Sequence, residues 1–256
     1  MIGTVGADAH GAQLTANLAS YGVDVSGVAQ TAAAPTGVAL IIVDQPSGEN
    51  RIVLSPGANH TLQAPDIVAD KLRATASGRL SDLLIMQLEI PLAAVLAALD
   101  VARAERVAVL LNPAPAQWLP DAAYDGLAHL VVNETEAAIL GRVEERALDD
   151  EHGLESVAKG FVAKGVHNVI ITLGGRGVYY MSRGDAGRKG LVPAEKAKVV
   201  DTTAAGDTFV GRYALEVVGQ GPFDIEAAVR KANKAAAKTV ERQGAQDSIL
   251  WRDELE

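Results

Sequence analysis

Val200-Asp201-Thr202-Thr203-Ala204-Ala205-Gly206-Asp207-Thr208-Phe209-Val210-Gly211 is the most informative stretch of this 256-residue chain. It sets small residues at the start of a predicted helix and follows them with a carboxylate. Backbone N–H groups left over at a helix N-terminus point outward, and the helix dipole favours negative charge there. Ala204, Ala205 and Gly206 carry little side chain, so a phosphate can come close to that backbone. Asp207 then stands where the phosphate would lie. A carboxylate repels a bare anion unless it is placed to take a proton from an attacking hydroxyl. The stretch therefore points to phosphoryl transfer to an alcohol. Taken alone, the same spelling also fits an ordinary helix start with an acid in its first turn.

The rest of the composition is that of a globular protein: 48% hydrophobic and 21% charged residues. A net charge of -9 argues against non-specific nucleic-acid binding, which needs a basic face. A locally built phosphate site is compatible with it. With no cysteine there is no disulfide, thiolate metal site or cysteine nucleophile, and the chain fits a reducing cytoplasm. No apolar run reaches the roughly 18 residues of a membrane span. His10, His60, His129, His152 and His167 lack metal-ligand spacing.

Short runs rich in Val, Ile and Leu alternate with amphipathic ones. Gly37–Val43, Leu83–Leu88, Val107–Leu111, Leu130–Val132 and Asn168–Thr172 read as strands, buried on both faces. Leu92–Ala102, Leu154–Lys164 and Ile225–Gln243 read as helices. This alternation predicts an α/β fold, a mainly parallel sheet flanked by helices. Thr36–Leu54 holds two apolar runs around a Gln45–Asn50 turn and reads as a hairpin standing off the main body. Tyr179–Val200 reads as strands and turns. No repeat, linker or boundary interrupts the pattern, so 1–256 is expected to be one domain.

Ligands of α/β sheets gather beyond the carboxyl ends of the strands. Glu89, Asn112, Asn133 and Thr172 each close or follow a predicted strand. Gly174-Gly175-Arg176-Gly177 lets the backbone approach a nucleotide, or simply makes a tight turn. GxGxxG and GxxxxGK[ST] are both absent, which excludes a dinucleotide fingerprint and a Walker loop. Asn133-Glu134-Thr135-Glu136 has the spelling of a capping box, and Glu136 is also a ligand type that Mg²⁺ takes through water. Gly244, after the long helix, is a natural helix stop, and Asn233 on the residues alone is a helix-surface position.

Together these motifs resemble the ribokinase family of sugar kinases, also called PfkB. Ala204-Ala205-Gly206-Asp207, Thr172–Gly177, Asn133–Glu136 and Asn112-Pro113-Ala114-Pro115-Ala116 carry the resemblance. It implies a ribokinase-like fold with a small β lid at about 36–54, and ATP-dependent phosphorylation of D-ribose to D-ribose 5-phosphate. It makes Asp207 the catalytic base and Ala204, Ala205 and Gly206 the anion hole. It assigns Asn133, Thr172, Leu173, Gly174, Gly175, Arg176, Gly177, Gly206 and Asn233 to ATP, and Glu89 with Asp207 to the sugar. Mg²⁺ would be held through water by Glu136. K⁺ would sit beside the anion hole on Asp201, Thr203, Thr239, Arg242, Gly244 and Ser248. The resemblance also implies a homodimer through the lid sheet, without nucleic-acid or membrane partners.

The chain departs from the family at its start. The family's first strand, its Asn-x-Asp sugar contact and its Gly-Gly-Lys-Gly-Ala-Asn-like motif have no match. Met1–Gly6 resembles an internal strand, followed by Asp8 and a helix from about Gly11. The expectation is a chain shortened on the N-terminal side, whose nucleotide binding survives better than its sugar phosphorylation. Two rivals follow: a relative acting on fructose, a ketodeoxy sugar acid or adenosine, and an inactive nucleotide-binding fragment.

Overall fold

The computed structural model describes residues 1–43, 50–73, 78–184 and 187–254. Most of the Gln45–Asn50 turn lies outside them. The chain divides into two units, Met1–Ile41 with Ile52–Val109, and Ile42–Arg51 with Leu110–Glu256. Each division falls inside a strand, which is why no linker composition marks it.

In the first unit, β1 (Ile2–Gly6) pairs in parallel with β2 (Gly27–Thr31), from Ile2 opposite Gly27 to Gly6 opposite Thr31. Parallel neighbours need a crossover, here the helix α1 (Ala9–Ser20). Asp8 caps α1 by accepting the Gly11 N–H. β3 (Val38–Val43) pairs with β4 (Asn50–Ser55) as a separate two-stranded sheet. After several short turns come β5 (Leu83–Met86) and α2 (Leu92–Glu105). α2 buries Ala94, Val95, Ala98, Leu99 and Ala102, the stripe expected of a helix against a core.

The second unit holds most of the larger sheet, in the order β10-β9-β8-β7-β6. Its strands are β6 (Ala108–Leu111), β7 (His129–Asn133), β8 (Asn168–Thr172), β9 (Val178–Ser182) and β10 (Lys189–Val192). β6, β7 and β8 run parallel, while β9 and β10 are antiparallel. Leu130–Val132 and Val169–Ile171 are almost wholly buried, as for strands covered on both faces. α3 (Glu134–Gly141) and α4 (Glu151–Ala163) connect β7 to β8; α5 (Ala205–Val217) and α6 (Ile225–Thr239) follow β10. Neighbouring β9 side chains show which helix lies on which face. The Tyr180 hydroxyl donates to Glu226 on α6, whereas Tyr179 feels Glu155 and Glu151 on α4. Successive strand residues point to opposite faces, so α4 and α6 flank the sheet on opposite sides.

Element limits shift by a few residues from the sequence reading. α4 starts three residues early because Asp150 caps it, accepting from Gly153. α6 stops at Thr239, before a turn that reaches Gly244 at φ 105°. β5 ends at Met86, so Glu89 lies in an exposed bend three residues beyond it.

Candidate active site

The parallel strands of the second unit bring three polar residues to one edge. Asn133 and Thr172, the last residues of β7 and β8, are register partners. Asn112, just beyond β6, donates through Nδ2 to the Val131 carbonyl at 2.9 Å. The Thr172 hydroxyl donates to the Val132 carbonyl at 3.4 Å. This row lies where ligands of such sheets collect.

The start of α5 differs from that of most other helices here. Asp8, Asn133, Asp150 and Asp224 cap α1, α3, α4 and α6 with side-chain oxygens. α5 has Ala204 at its N-cap and no side-chain cap. The Ala205 amide turns back to the Thr202 carbonyl at 3.3 Å, and Thr208 begins the helical pattern by donating to Ala204. Ala205 is thus the least available donor of the proposed anion hole, and Gly206 and Asp207 supply the amides at the open end. Gly206 is exposed, and a Cβ built on it meets nothing within 4 Å. Asp207 is exposed in the first turn, and its carboxylate makes no hydrogen bond or ion pair among the described residues. An exposed glycine and an unengaged carboxylate therefore stand side by side at the start of α5.

The turn between β8 and β9 has two parts. Gly174 and Gly175 are exposed with open space around them, suited to close approach by a ligand. Gly177 instead has a structural duty: at φ 104°, a Cβ there would lie 2.0 Å from the Val192 carbonyl. Leu173 is buried and donates its amide to Gly177. The Arg176 guanidinium is directed at the protein. It donates to the Leu148 and Asp149 carbonyls and pairs with Glu134. Any contact of Arg176 with nucleotide falls to its backbone.

Asn133 and Glu136 form the full capping box: Asn133 Oδ1 accepts from the Glu136 amide at 2.8 Å, and Glu136 Oε2 from the Asn133 amide at 2.9 Å. Glu136 is 7% exposed, and burial raises its carboxyl above the usual range, opposed in part by the Asn133 hydrogen bond.

Asp201, Thr203 and Gly244 meet directly. Asp201 Oδ1 accepts from the Thr203 amide at 2.9 Å and Oδ2 from the Gly244 amide at 3.0 Å. Burial pushes the Asp201 pKa up, but hydrogen bonds from Thr203 and Gly244 outweigh it and hold the group ionised. Asp201 is 2% exposed, without an ion pair among the described residues. Thr239 and Ser248 are fully buried nearby in sequence; the Thr239 hydroxyl donates to Thr208 at 3.0 Å, and the Ser248 hydroxyl to the Ala245 carbonyl at 2.8 Å. The Arg242 side chain faces away and pairs with Glu254. Asn233 is buried and holds the Pro193 carbonyl at 2.9 Å, rather than lying on the helix surface. Sequence reasoning did not single out Thr202 and Thr208, although both lie within the opening motif. Glu89 belongs to the first unit and makes contacts of its own.

The second unit thus sets an α5 that starts without a side-chain cap, and an exposed acid in its first turn, after a mixed sheet whose central strands are parallel. The model of the pfkB family carbohydrate kinases matches residues 1–252, and the chain belongs to that family. It is similar to ribokinase of Schizosaccharomyces pombe, 43% identical over 97% of this chain and 76% of the relative. It is also similar to deoxyribokinase of Salmonella typhi, 35% identical over 97% and 77%. Among solved structures, Arabidopsis thaliana ribokinase complexed with ribose and ATP superposes with a TM-score of 0.82 at 25% identity. That match covers 99% of this chain and 79% of the other.

Proposed function

We propose that the chain transfers the γ-phosphoryl group of ATP to D-ribose, giving D-ribose 5-phosphate and ADP. The observation that carries this reading is the start of α5: an uncapped helix N-terminus with the unengaged Asp207 carboxylate in its first turn. Asp207 takes the proton of the ribose C5 hydroxyl. The hydroxyl oxygen then bonds to the γ-phosphorus as its bond to the β–γ bridging oxygen breaks, and ADP leaves. The Gly206 and Asp207 amides stabilise charge on the transferring group. Gly174 and Gly175 offer backbone to the nucleotide, beside Asn133 and Thr172. Glu136 fits Mg²⁺ held through water, and the ion neutralises phosphate charge when bound. The buried Asp201 carboxylate, bonded to the Thr203 and Gly244 amides, would hold K⁺ together with Thr203, Thr239, Gly244, Ser248 and the backbone of Arg242, whose side chain is turned to Glu254. Similar proteins named both ribokinase and deoxyribokinase make the sugar's C2 hydroxyl the substrate feature to test.

The test is ADP release with ATP and a panel of ribose, 2-deoxyribose, fructose and adenosine. Ribose should give the highest kcat/KM. Asp207→Asn should lower turnover by about a thousandfold, within the range of a lost general base, while ATP binding by calorimetry stays unchanged. Persistent turnover in that variant would remove Asp207 from its role.

A further inference from the structure

The first unit holds a cluster that the reaction does not use, at the point where the β3–β4 hairpin leaves the body. The chain enters β3 through Pro35-Thr36-Gly37 and leaves β4 through Pro56-Gly57-Ala58. The two crossings are tied to each other: the Ala58 amide donates to the Pro35 carbonyl at 2.8 Å. Gly57, at φ 47°, brings its backbone so close that a Cβ would lie 2.3 Å from that carbonyl. Ala58 is fully buried and Thr36 is 7% exposed.

Asp8 holds this crossing to the start of α1. Its Oδ2 accepts the Thr36 amide at 2.8 Å. Its Oδ1 accepts the Thr36 hydroxyl at 2.6 Å and the Gly11 amide at 2.8 Å. The Thr36 hydroxyl oxygen in turn accepts the Gly6 amide, also within a close approach of backbones. These bonds, led by that of the Thr36 hydroxyl, lower the Asp8 carboxyl to about 2. Beyond the locked base the hairpin changes character, with Val38, Leu40, Ile52, Val53 and Leu54 all about half or more exposed. A two-stranded sheet of this kind is only marginally stable alone, so its direction is set where it is anchored.

We propose that Asp8 is a positioning residue: through Thr36 it fixes the base from which both hairpin strands project, and so sets the affinity for the sugar. The coupling to the sugar rests on the reading of the hairpin as the lid of a ribose kinase. The lock itself rests only on the geometry of the first unit.

Two variants separate this role from the capping of α1. Asp8→Asn keeps a side-chain oxygen for the Gly11 amide but presents an NH₂ group to a Thr36 donor. Thr36→Val removes the hydroxyl while keeping its shape, and Thr36→Ser restores it. Both disrupting variants should raise the ribose KM about tenfold, the effect of losing one good charged hydrogen bond, with kcat and the ATP KM little changed. Amide exchange should quicken in residues 38–41 and 52–55 and stay slow in α1. Thr36→Ser should restore both. Equal quickening through α1 and β1, or no quickening in the hairpin, overturns the lock. Quickening confined to the hairpin with an unchanged ribose KM overturns its coupling to the sugar. If the parent chain phosphorylates no pentose, the ribose-kinase reading fails instead, and exchange alone judges the lock.

Discussion

Ala204 sits at φ 61° and ψ 6°, a left-handed conformation that an L-residue with a Cβ enters at a cost of about 1 kcal/mol. The strain has a location that explains it. The left-handed residue turns the chain from the Asp201–Thr203 loop into α5 without a capping side chain, leaving the first amides of the helix without a side-chain acceptor. Ala204→Gly should relieve this strain and raise stability by about 0.5–1 kcal/mol, a melting temperature about 2 °C higher in a thermal scan. A lower melting temperature would mean that the Ala204 methyl packs usefully, outweighing its backbone cost. At this scale the catalytic stretch was legible in the sequence, because small residues before an acid have a local meaning. The use of Arg176 was not. Its acceptors, the carbonyls of residues 148 and 149, lie 28 and 27 residues away in the chain.

The element that carries the site is anchored from its far end. Tyr213 on α5 is fully buried, its hydroxyl 2.9 Å from His129 Nδ1 on β7, and both rings meet Phe223 edge to face. Burial, reinforced by His167, lowers the His129 pKa to about 4. The folded chain therefore keeps His129 neutral while the unfolded chain protonates it below about 6.5. Stability should fall as pH drops from about 6.5 to 4, by about 3 kcal/mol in all, and this contribution should then level off. The Asp8 contribution works in a lower window, lost only as pH falls from about 4 through 2. Urea unfolding at several pH values should show the upper slope in the parent chain and a flatter one in His129→Leu. An unchanged slope in that variant would assign it to other groups. His129 and Tyr213 are 84 residues apart, so periodicity marked each element and could not mark their contact. Strand and helix types came through because buried parallel strands and amphipathic helices write different periods into the chain. Their ends shifted where caps such as Asp150 decided them.

At the scale of the whole molecule, the hairpin turns large apolar side chains to solvent. Val38, Leu40 and Ile42 alternate along β3 and are 50%, 62% and 58% exposed, and Ile52 and Leu54 alternate along β4 at 49% each. Side chains two apart share a face of a strand, so each strand presents an apolar row to solvent. A contiguous exposed row of this kind is costly in water and marks an interaction surface. A second copy of the chain is the occupant we propose, because a two-fold axis sets the same apolar row against its own copy. Light scattering at tens of micromolar should then give a mass near two chains for the parent. Leu40→Glu combined with Ile42→Glu should give a mass near one, since two carboxylates on one face would have to be buried against their copies. On the reading of the hairpin as the lid that the family resemblance implies, the double variant should also raise the ribose KM more than the ATP KM. A parent chain that remains a monomer at those concentrations would leave the row to a different partner and remove self-association from the account.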